Sequence, residues 1–394
     1  MPTNVLLLRG HHPTVWGLRP FERLPERFAV RLAVTGRPRY SLDGLELEQV
    51  PVRTVRDTMP GGTIGSVVSL GLPDRVLHAE RSYASADILH TEELSLWFTA
   101  QAARLKARLG YRLVVTVWET LPLLDAFRNP HGRRYRAATL AAADLFIAAS
   151  QHAHDALLLE GVPEEKVVLS YPGIDLSRFT KPRAEDVDEH VILSPARLEW
   201  EKGHHDILRA IAALKRGLVV APPTAVERLR VMLVGAGPEE KRLKEHAAEL
   251  GVADAVTIGR VPYDDMPALY ARASALVLAS LPRSGCALYP GDIPRCFWEE
   301  QFGMVLAEAM AAGVPMIVST SGAIPEIAGE RAEYFAPGDW MAIARALAKG
   351  PLSQAPATRV AYPAYQLASY SVPAAAERIA AAFDRVLDDG RQSA

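Results

Sequence analysis

Short runs of consecutive apolar residues alternate along this chain with longer stretches whose apolar positions recur at helical spacing. The runs are VLLL at Val5, FAVRLAV at Phe28, DILH at Asp87, YRLVVTVW at Tyr111, LFIAAS at Leu145 and VVLSY at Val167. Near-continuous apolar runs read as strands buried on both faces, and strands separated by helices read as βαβ units of a parallel sheet. The rhythm stops at YPGIDLSRFTKPRAEDVDEH, where Pro172, Gly173 and Pro182 break any periodicity and acidic residues gather from Glu185 to Glu189. It restarts with VILSPAR at Val191, LRVMLVGAG at Leu229, AVTIGRV at Ala255, ALVLAS at Ala275, VPMIVST at Val314 and EYFAPG at Glu333. The segment VPAAAERIAAAFDRVLDDG, with Pro373 in its first turn and Gly390 beyond its expected end, reads as a terminal helix.

This pattern predicts an α/β protein with a first domain over 1–172, a linker over 173–189, a second domain over 190–370 and a helix with tail over 371–394. The length of 394 residues agrees, because single cores seldom grow that large. Doubly wound sheets bind ligands outside the carboxyl ends of their strands, so candidate chemistry is sought in the loops that follow the strands.

Composition changes this picture little. Apolar residues make up 49% and charged residues 23%, as in ordinary globular proteins. A net charge of −2 and a pI near 6.6 provide no global field for nucleic acid or anionic lipid. Cys286 and Cys296 are too few for a disulfide framework and read as cytosolic thiols in a loop. The start MPTNVLLLRGHH lacks the apolar core of a signal peptide, and no run approaches the roughly 20 residues of a spanning helix. The expected setting is cytoplasmic, with peripheral contact at the inner face of a membrane as an option.

The richest segment is WEEQFGMVLAEAMAAGVP, from Trp298 onward. Gly303 precedes a run of good helix formers, so the N–H groups of Met304 and Val305 open a helix, a place that favours phosphate. Glu300 and Glu308 lie about 12 Å apart along a fully helical rise, too far to share one atom of a ligand. They suit opposite ends of an elongated one, with Glu308 on a ribose diol and Glu300 on a sugar ring. By spacing alone they would be two surface carboxylates. A second constellation, PARLEWEKG, sets Arg197 and Lys202 after the first strand of the second domain, where cations could balance a departing diphosphate. The plain alternative is a salt-bridged loop in which Lys202 pairs with Glu199 or Glu201.

Taken in order, ARLEWEKG, LVGAGPEEKRL, GRVPYDDMPALYARAS and EEQFGMVLAEAMAAGVP resemble the family 4 retaining glycosyltransferases over about Val191 to Gly338, and YPGIDLSRF resembles the inter-domain segment of that family. The resemblance implies the GT-B arrangement: two doubly wound Rossmann-like domains facing a cleft, with the C-terminal helix crossing back to the N-terminal domain. It places Glu300 on the donor sugar, Glu308 on the ribose, and Arg197 and Lys202 on the diphosphate. Phe302, Gly303, Met304 and Val305 would hold phosphate and sugar, with Gly10 and Val261 completing the donor site.

The first domain matches loosely. Where many members carry Gly-Gly after the first strand, this chain has Arg9-Gly10-His11-His12, and where a His is expected after YRLVVTVW it has Trp118-Glu119-Thr120. The polar role could pass to Glu119 or His12, the alternative being plain packing. His90 and Glu92, in DILHTEE, would line the acceptor side together with Trp118.

Other signals are weaker. Gly235-Ala236-Gly237-Pro238 breaks the dinucleotide fingerprint at Pro238. Asp186-Val187-Asp188 is formally D-x-D but sits in the acidic linker, and His152 with His154, and His204 with His205, lack the spacing of ligands on one helical face. No metal is expected. From Arg104 to Arg136 eight basic residues face only Glu119 and Asp125, a bias that would suit a phosphorylated acceptor or an anionic surface, or be a solvated helix face. The expected reaction is retaining, metal-independent transfer of a hexose from UDP-glucose or GDP-mannose to a hydroxyl on a sugar, lipid-linked or small phosphorylated acceptor. No cofactor beyond the nucleotide sugar is called for. The other readings are a GT-B epimerase or phosphorylase and a non-catalytic nucleotide-sugar-binding protein.

Overall fold

The computed structural model describes residues 1–59, 74–124, 130–180, 187–282 and 298–392. The chain divides into two compact units, Met1–Ile174 with Ser369–Ala394, and Asp175–Ala368.

In the first unit seven parallel strands run β1 (Thr3–Leu8), β2 (Phe28–Thr35), β3 (Glu48–Val52), β4 (Ile88–Glu92), β5 (Arg112–Val117), β6 (Leu145–Ala148) and β7 (Val167–Leu169), in the spatial order β3-β2-β1-β4-β5-β6-β7. The chain moves outward from β1 to β3 and then returns to β4 on the other side, so the switch point lies between β1 and β4, paired through Val5↔Ile88 and Leu7↔His90. Alternation explains why the strands read as unbroken apolar runs. Leu6 and Leu8 enter one core with Leu113, Val115 and the helix Trp97–Leu109, while Val5 and Leu7 enter the opposite core with Val114 and the C-terminal helix. Both faces are covered, so both sets of side chains must be apolar.

The edge strand β3, EQVPV, is absent from the apolar pattern. It pairs with β2 through Arg31↔Glu48 and is exposed over most of its length, which is where a sheet tolerates a proline such as Pro51. The terminal helix spans Val372–Gln392 and therefore runs on through Gly390 instead of stopping before it. A single glycine in a last turn costs only about 1 kcal/mol. The helix packs Ile379, Phe383 and Val386 against Leu18, Phe21 and Phe28 of the first unit.

In the second unit six parallel strands, β8 (His190–Pro195), β9 (Leu229–Val234), β10 (Val256–Gly259), β11 (Ala273–Leu278), β12 (Met316–Ser319) and β13 (Glu333–Phe335), take the order β10-β9-β8-β11-β12-β13. Its switch point lies between β8 and β11, which pair through Leu193↔Leu276. The segment read as a linker is structured on both sides of residues 181–186. Phe179 is buried beside Tyr270, and Glu189 pairs with Arg230 at 3.0 Å. Cys286, Cys296, Asp186, Asp125 and Arg128 lie outside the described residues.

Candidate active site

At the switch point of the second sheet the loop after β8 brings Lys202 to Glu300. Their Nζ and Oε2 atoms are 2.7 Å apart, with both side chains nine-tenths buried or nearly so. The same Oε2 accepts from Ser280 Oγ at 2.7 Å, at the end of β11, and Lys202 Nζ lies 4.3 Å over the Trp298 ring. Among the described residues no hydrogen bond reaches the other oxygen, Oε1, so the carboxylate keeps acceptor capacity. The backbone of Glu300 is fixed too: Ala323 N donates to its carbonyl at 2.8 Å, and a Cβ on Gly322 would stand 2.2 Å from that carbonyl. Gly203, at φ +65, allows the approach of Lys202, because a Cβ there would meet Ala279 O at 1.9 Å.

Arg197 behaves differently from Lys202. Its side chain is half exposed and ion-pairs with Glu199, with Glu201 Oε1 at 3.6 Å. Burial and the neighbouring Glu199 push the Glu201 carboxyl above the ordinary carboxylate range. The salt-bridged loop foreseen as the plain alternative thus exists around Arg197, while Lys202 reaches past it.

The helix Met304–Ala311 begins at Gly303, φ +76, where among the described residues no side-chain cap is made, and no acid stands in its first turn. Its first N–H groups are left for another acceptor. Phe302 is buried, so only its backbone can meet a ligand. One helical face on, Glu308 is buried and accepts from Tyr270 Oη at 2.8 Å and from Tyr263 Oη at 3.4 Å. Burial outweighs these bonds and pushes its carboxyl up to about 7. Val261 is half-buried two residues before Tyr263. The glycines of Gly235-Ala236-Gly237 serve packing: a Cβ on either would fall within 2.2 Å of Ala196 O or Leu198 O.

In the first unit the ion pair Arg9 Nε–Glu92 Oε1, 2.8 Å, spans the ends of β1 and β4 at the switch point. His90, expected to line the acceptor side, is fully buried instead. Its Nδ1 meets Arg9 Nη2 at 2.9 Å and its Nε2 meets Thr116 Oγ1 at 2.9 Å. Arginine can only donate, so Nδ1 accepts and the ring proton sits on Nε2. Burial and Arg9 hold its pKa well below the ordinary value, which leaves a neutral structural imidazole. The backbone N–H of Trp118 donates to Glu93 Oε1 at 3.0 Å, and its ring meets Trp16 edge to face at 6.4 Å. Glu119 Oε1 accepts from the backbone N–H groups of Thr120 and Leu121, both at 3.1 Å, and so ties its own turn. His12 is exposed, whereas neighbouring His11 is buried between Asp74 and Thr35. Gly10, at φ +55, lets the chain pass 2.7 Å from the Phe98 ring at its virtual Cβ, a packing reason for this glycine.

Four of the basic residues between Arg104 and Arg136 are spent on ion pairs: Lys106 and Arg112 on Asp144, Arg108 on Glu80 and Arg136 on Glu160. Among the described residues no cluster of three His, Cys, Asp or Glu is placed to hold a metal ion, and no helix is long and apolar enough to cross a membrane. Ser280, Tyr263, Tyr270 and Gly322 were not singled out from the sequence. Only Tyr263 and Tyr270 fell inside a family-like segment, and nothing in the spacing linked either to Glu308.

The family described as Glycosyltransferase Family 4 matches residues 4–178, and Glycosyl transferases group 1 matches residues 177–366. The chain belongs to the family 4 glycosyltransferases. The GDP-mannose-dependent alpha-(1-6)-phosphatidylinositol monomannoside mannosyltransferase of Mycolicibacterium smegmatis is 27% identical over 274 residues, 61% of this chain and 67% of that protein. The D-inositol 3-phosphate glycosyltransferase 1 of Catenulispora acidiphila is 25% identical over 383 residues, 89% of this chain and 83% of that one. The putative colanic acid biosynthesis glycosyltransferase WcaL of Escherichia coli is 29% identical over 192 residues, and there the chain spans only 43% of its relative. Anabaena Alr3699/HepE, solved with UDP and glucose, superposes with a TM-score of 0.69 over 97% of this glycosyltransferase and 100% of the Anabaena chain, at 18% identity. At that identity the likeness establishes the fold, two Rossmann-like domains of the GT-B type.

Proposed function

We propose that this glycosyltransferase moves a hexose from a nucleoside diphosphate sugar, of the GDP-mannose or UDP-glucose type, to an acceptor hydroxyl with retention of configuration. The observation that carries the reading is the buried Lys202–Glu300 pair beside the uncapped helix start at Gly303. A diphosphate at that helix start meets free N–H groups and the Lys202 ammonium, which together balance the charge that grows as the glycosidic bond breaks. On this reading no metal is required for that task, and the half-exposed Arg197 adds a second positive charge. Glu300 Oε1 accepts from a sugar hydroxyl and Glu308 accepts the ribose diol, displacing Tyr263. Catalysis then rests on positioning and charge stabilisation.

A thermal-shift panel of UDP, GDP and ADP sugars tests the donor assignment, since only a bound ligand raises the melting temperature. One nucleotide class is expected to stabilise the wild type and to lose most of its effect in Lys202→Ala. Full turnover with unchanged donor affinity in Glu300→Gln would remove Glu300 from the site. Donor binding without transfer or hydrolysis across many acceptors would replace the transferase reading with a binding protein.

A further inference from the structure

Beside the loop that carries Lys202, the second unit holds a cavity of about 280 Å³ between the start of the helix His204–Lys215 and the helix Glu240–Glu249. A second cavity of about 340 Å³ adjoins it and is lined on its other side by Leu281, Pro282, Pro337 and Gly338. Trp200, His205 and Arg209 line both. Each volume lies near the lower end of the range for small-molecule sites, roughly 300–1,000 Å³.

The shared wall is an aromatic shelf. The rings of Trp200 and His205 stack with centroids 4.2 Å apart and 17° between their planes. Burial, with Arg209 adding to it, pushes the His205 pKa down to about 4, so at neutral pH an uncharged ring backs the indole. With one face covered in this way, the 42% exposure of Trp200 falls on its other face and its edge. Trp200 and Lys202 share one short turn, yet Lys202 is buried towards Glu300 while Trp200 remains open to the cavities. The donor reading uses Lys202 and leaves this ring without a task.

Charge around the shelf is plentiful but balanced. Arg209 pairs with Asp206 at 2.6 Å, Arg242 with Glu239 at 3.1 Å, Lys241 with Glu245 at 3.6 Å, and Glu199 with Arg197. An anion brought here meets guanidiniums already shared with carboxylates, and a cation meets carboxylates already shared with cations. Hydrogen-bonding capacity is nevertheless left over, because a carboxylate has about four lone-pair sites and a guanidinium five N–H donors. A ligand suited to this wall is neutral, carries hydroxyls that both donate and accept, and has an apolar face for an indole ring. A pyranose meets that description.

We infer that the shelf is a binding site for a neutral saccharide, with the C–H face of one pyranose ring on Trp200 and its hydroxyls on the ion-paired side chains around it. The two cavities include neither Glu300 nor Glu308, so the site is additional to the proposed donor site and does not depend on it.

The test is saturation-transfer difference NMR on the full chain with methyl α-D-glucopyranoside and maltotriose, in the presence of excess UDP and GDP, with glucose 6-phosphate and spermidine as charged probes. Ring protons of both neutral sugars are expected to receive saturation. Trp200→Ala is expected to weaken binding at least tenfold, Trp200→Phe to retain most of it, and Trp16→Ala, at an equally exposed indole of the first unit, to leave it unchanged. Arg242→Ala, at a side chain 73% exposed, is expected to weaken it at least threefold and tests the site even where Trp200→Ala fails to fold. No transfer to either neutral sugar, stronger binding of glucose 6-phosphate or spermidine, or unchanged sugar binding in folded Trp200→Ala or in Arg242→Ala would overturn the inference. Failure of the donor reading is separate: it appears as no melting shift with any nucleotide sugar, whatever these sugars do.

Discussion

Glu308 is placed at an energetic disadvantage, and that disadvantage is measurable. Its carboxyl is buried, pushed up to about 7 from an ordinary 4.5, and its partners are two neutral tyrosine hydroxyls rather than a cation. Between about pH 4.5 and 7 the folded protein keeps this proton while the unfolded chain has released it. The contribution to stability is therefore full below 4.5 and lost as pH rises through 7, a loss on the order of 3 kcal/mol. Glu308→Gln removes the ionisation and keeps a carbonyl for Tyr270 Oη. The variant should be more stable than wild type at pH 8 by about 2–3 kcal/mol, or roughly 4–10 °C in melting temperature for a unit of this size, and should match it near pH 5. Differential scanning fluorimetry across pH 5–8 reads both limbs. A difference in melting temperature that stays constant with pH would refute the reasoning. If the ribose contact is as proposed, the stabilised variant binds donor at least tenfold more weakly, because a bond to a charged group contributes about 1.5–3 kcal/mol.

Three further substitutions probe the same logic. Lys202→Met leaves Glu300 buried beside Ser280 alone and should cost about 3–5 kcal/mol in urea denaturation; adding Glu300→Gln should restore most of it, whereas additive losses would show that the pair is not coupled. Gly203→Ala forces a Cβ to 1.9 Å from Ala279 O at φ +65, so a loss of at least about 1–2 kcal/mol and weakened donor binding are expected; a wild-type denaturation midpoint would contradict the close approach. Glu119→Gln should change transfer less than threefold in initial-rate assays, since its carboxylate ties its own turn, and a hundredfold loss would return Glu119 to the reaction.

The parallel strands were legible because burial on both faces leaves an unmistakable apolar run, as in Val5–Leu8 or Val191–Leu193. Where burial is one-sided the signal fades. Strand β3 carries Glu48, Gln49 and Pro51, and only its pairing with β2 makes it a strand. The end of the terminal helix was misplaced for a related reason: Gly390 signals a stop only by local propensity, and propensity is a weak prior.

The two halves of the chemistry differ in legibility for a geometric reason. In the second unit Arg197, Lys202, Glu300, Gly303 and Glu308 fall in two short segments, each directly after a strand or opening a helix, so sequence order brings the reader close to spatial order. What the segments could not say is which cation meets which carboxylate. Lys202 passes Glu199 and Glu201 to reach Glu300, 98 positions away, while Arg197 takes the local glutamates. In the first unit Arg9, Trp16, Glu92, Trp118 and Tyr171 come from separate strand ends, loops and a helix, and meet only because a doubly wound sheet gathers its carboxyl ends. His90 shows the consequence. By sequence it stands two positions from Glu92 as an equal candidate, and strand alternation puts the two on one face, where both meet Arg9; the imidazole is fully buried between Arg9 and Thr116, while the carboxylate, at the end of the strand, stays partly exposed.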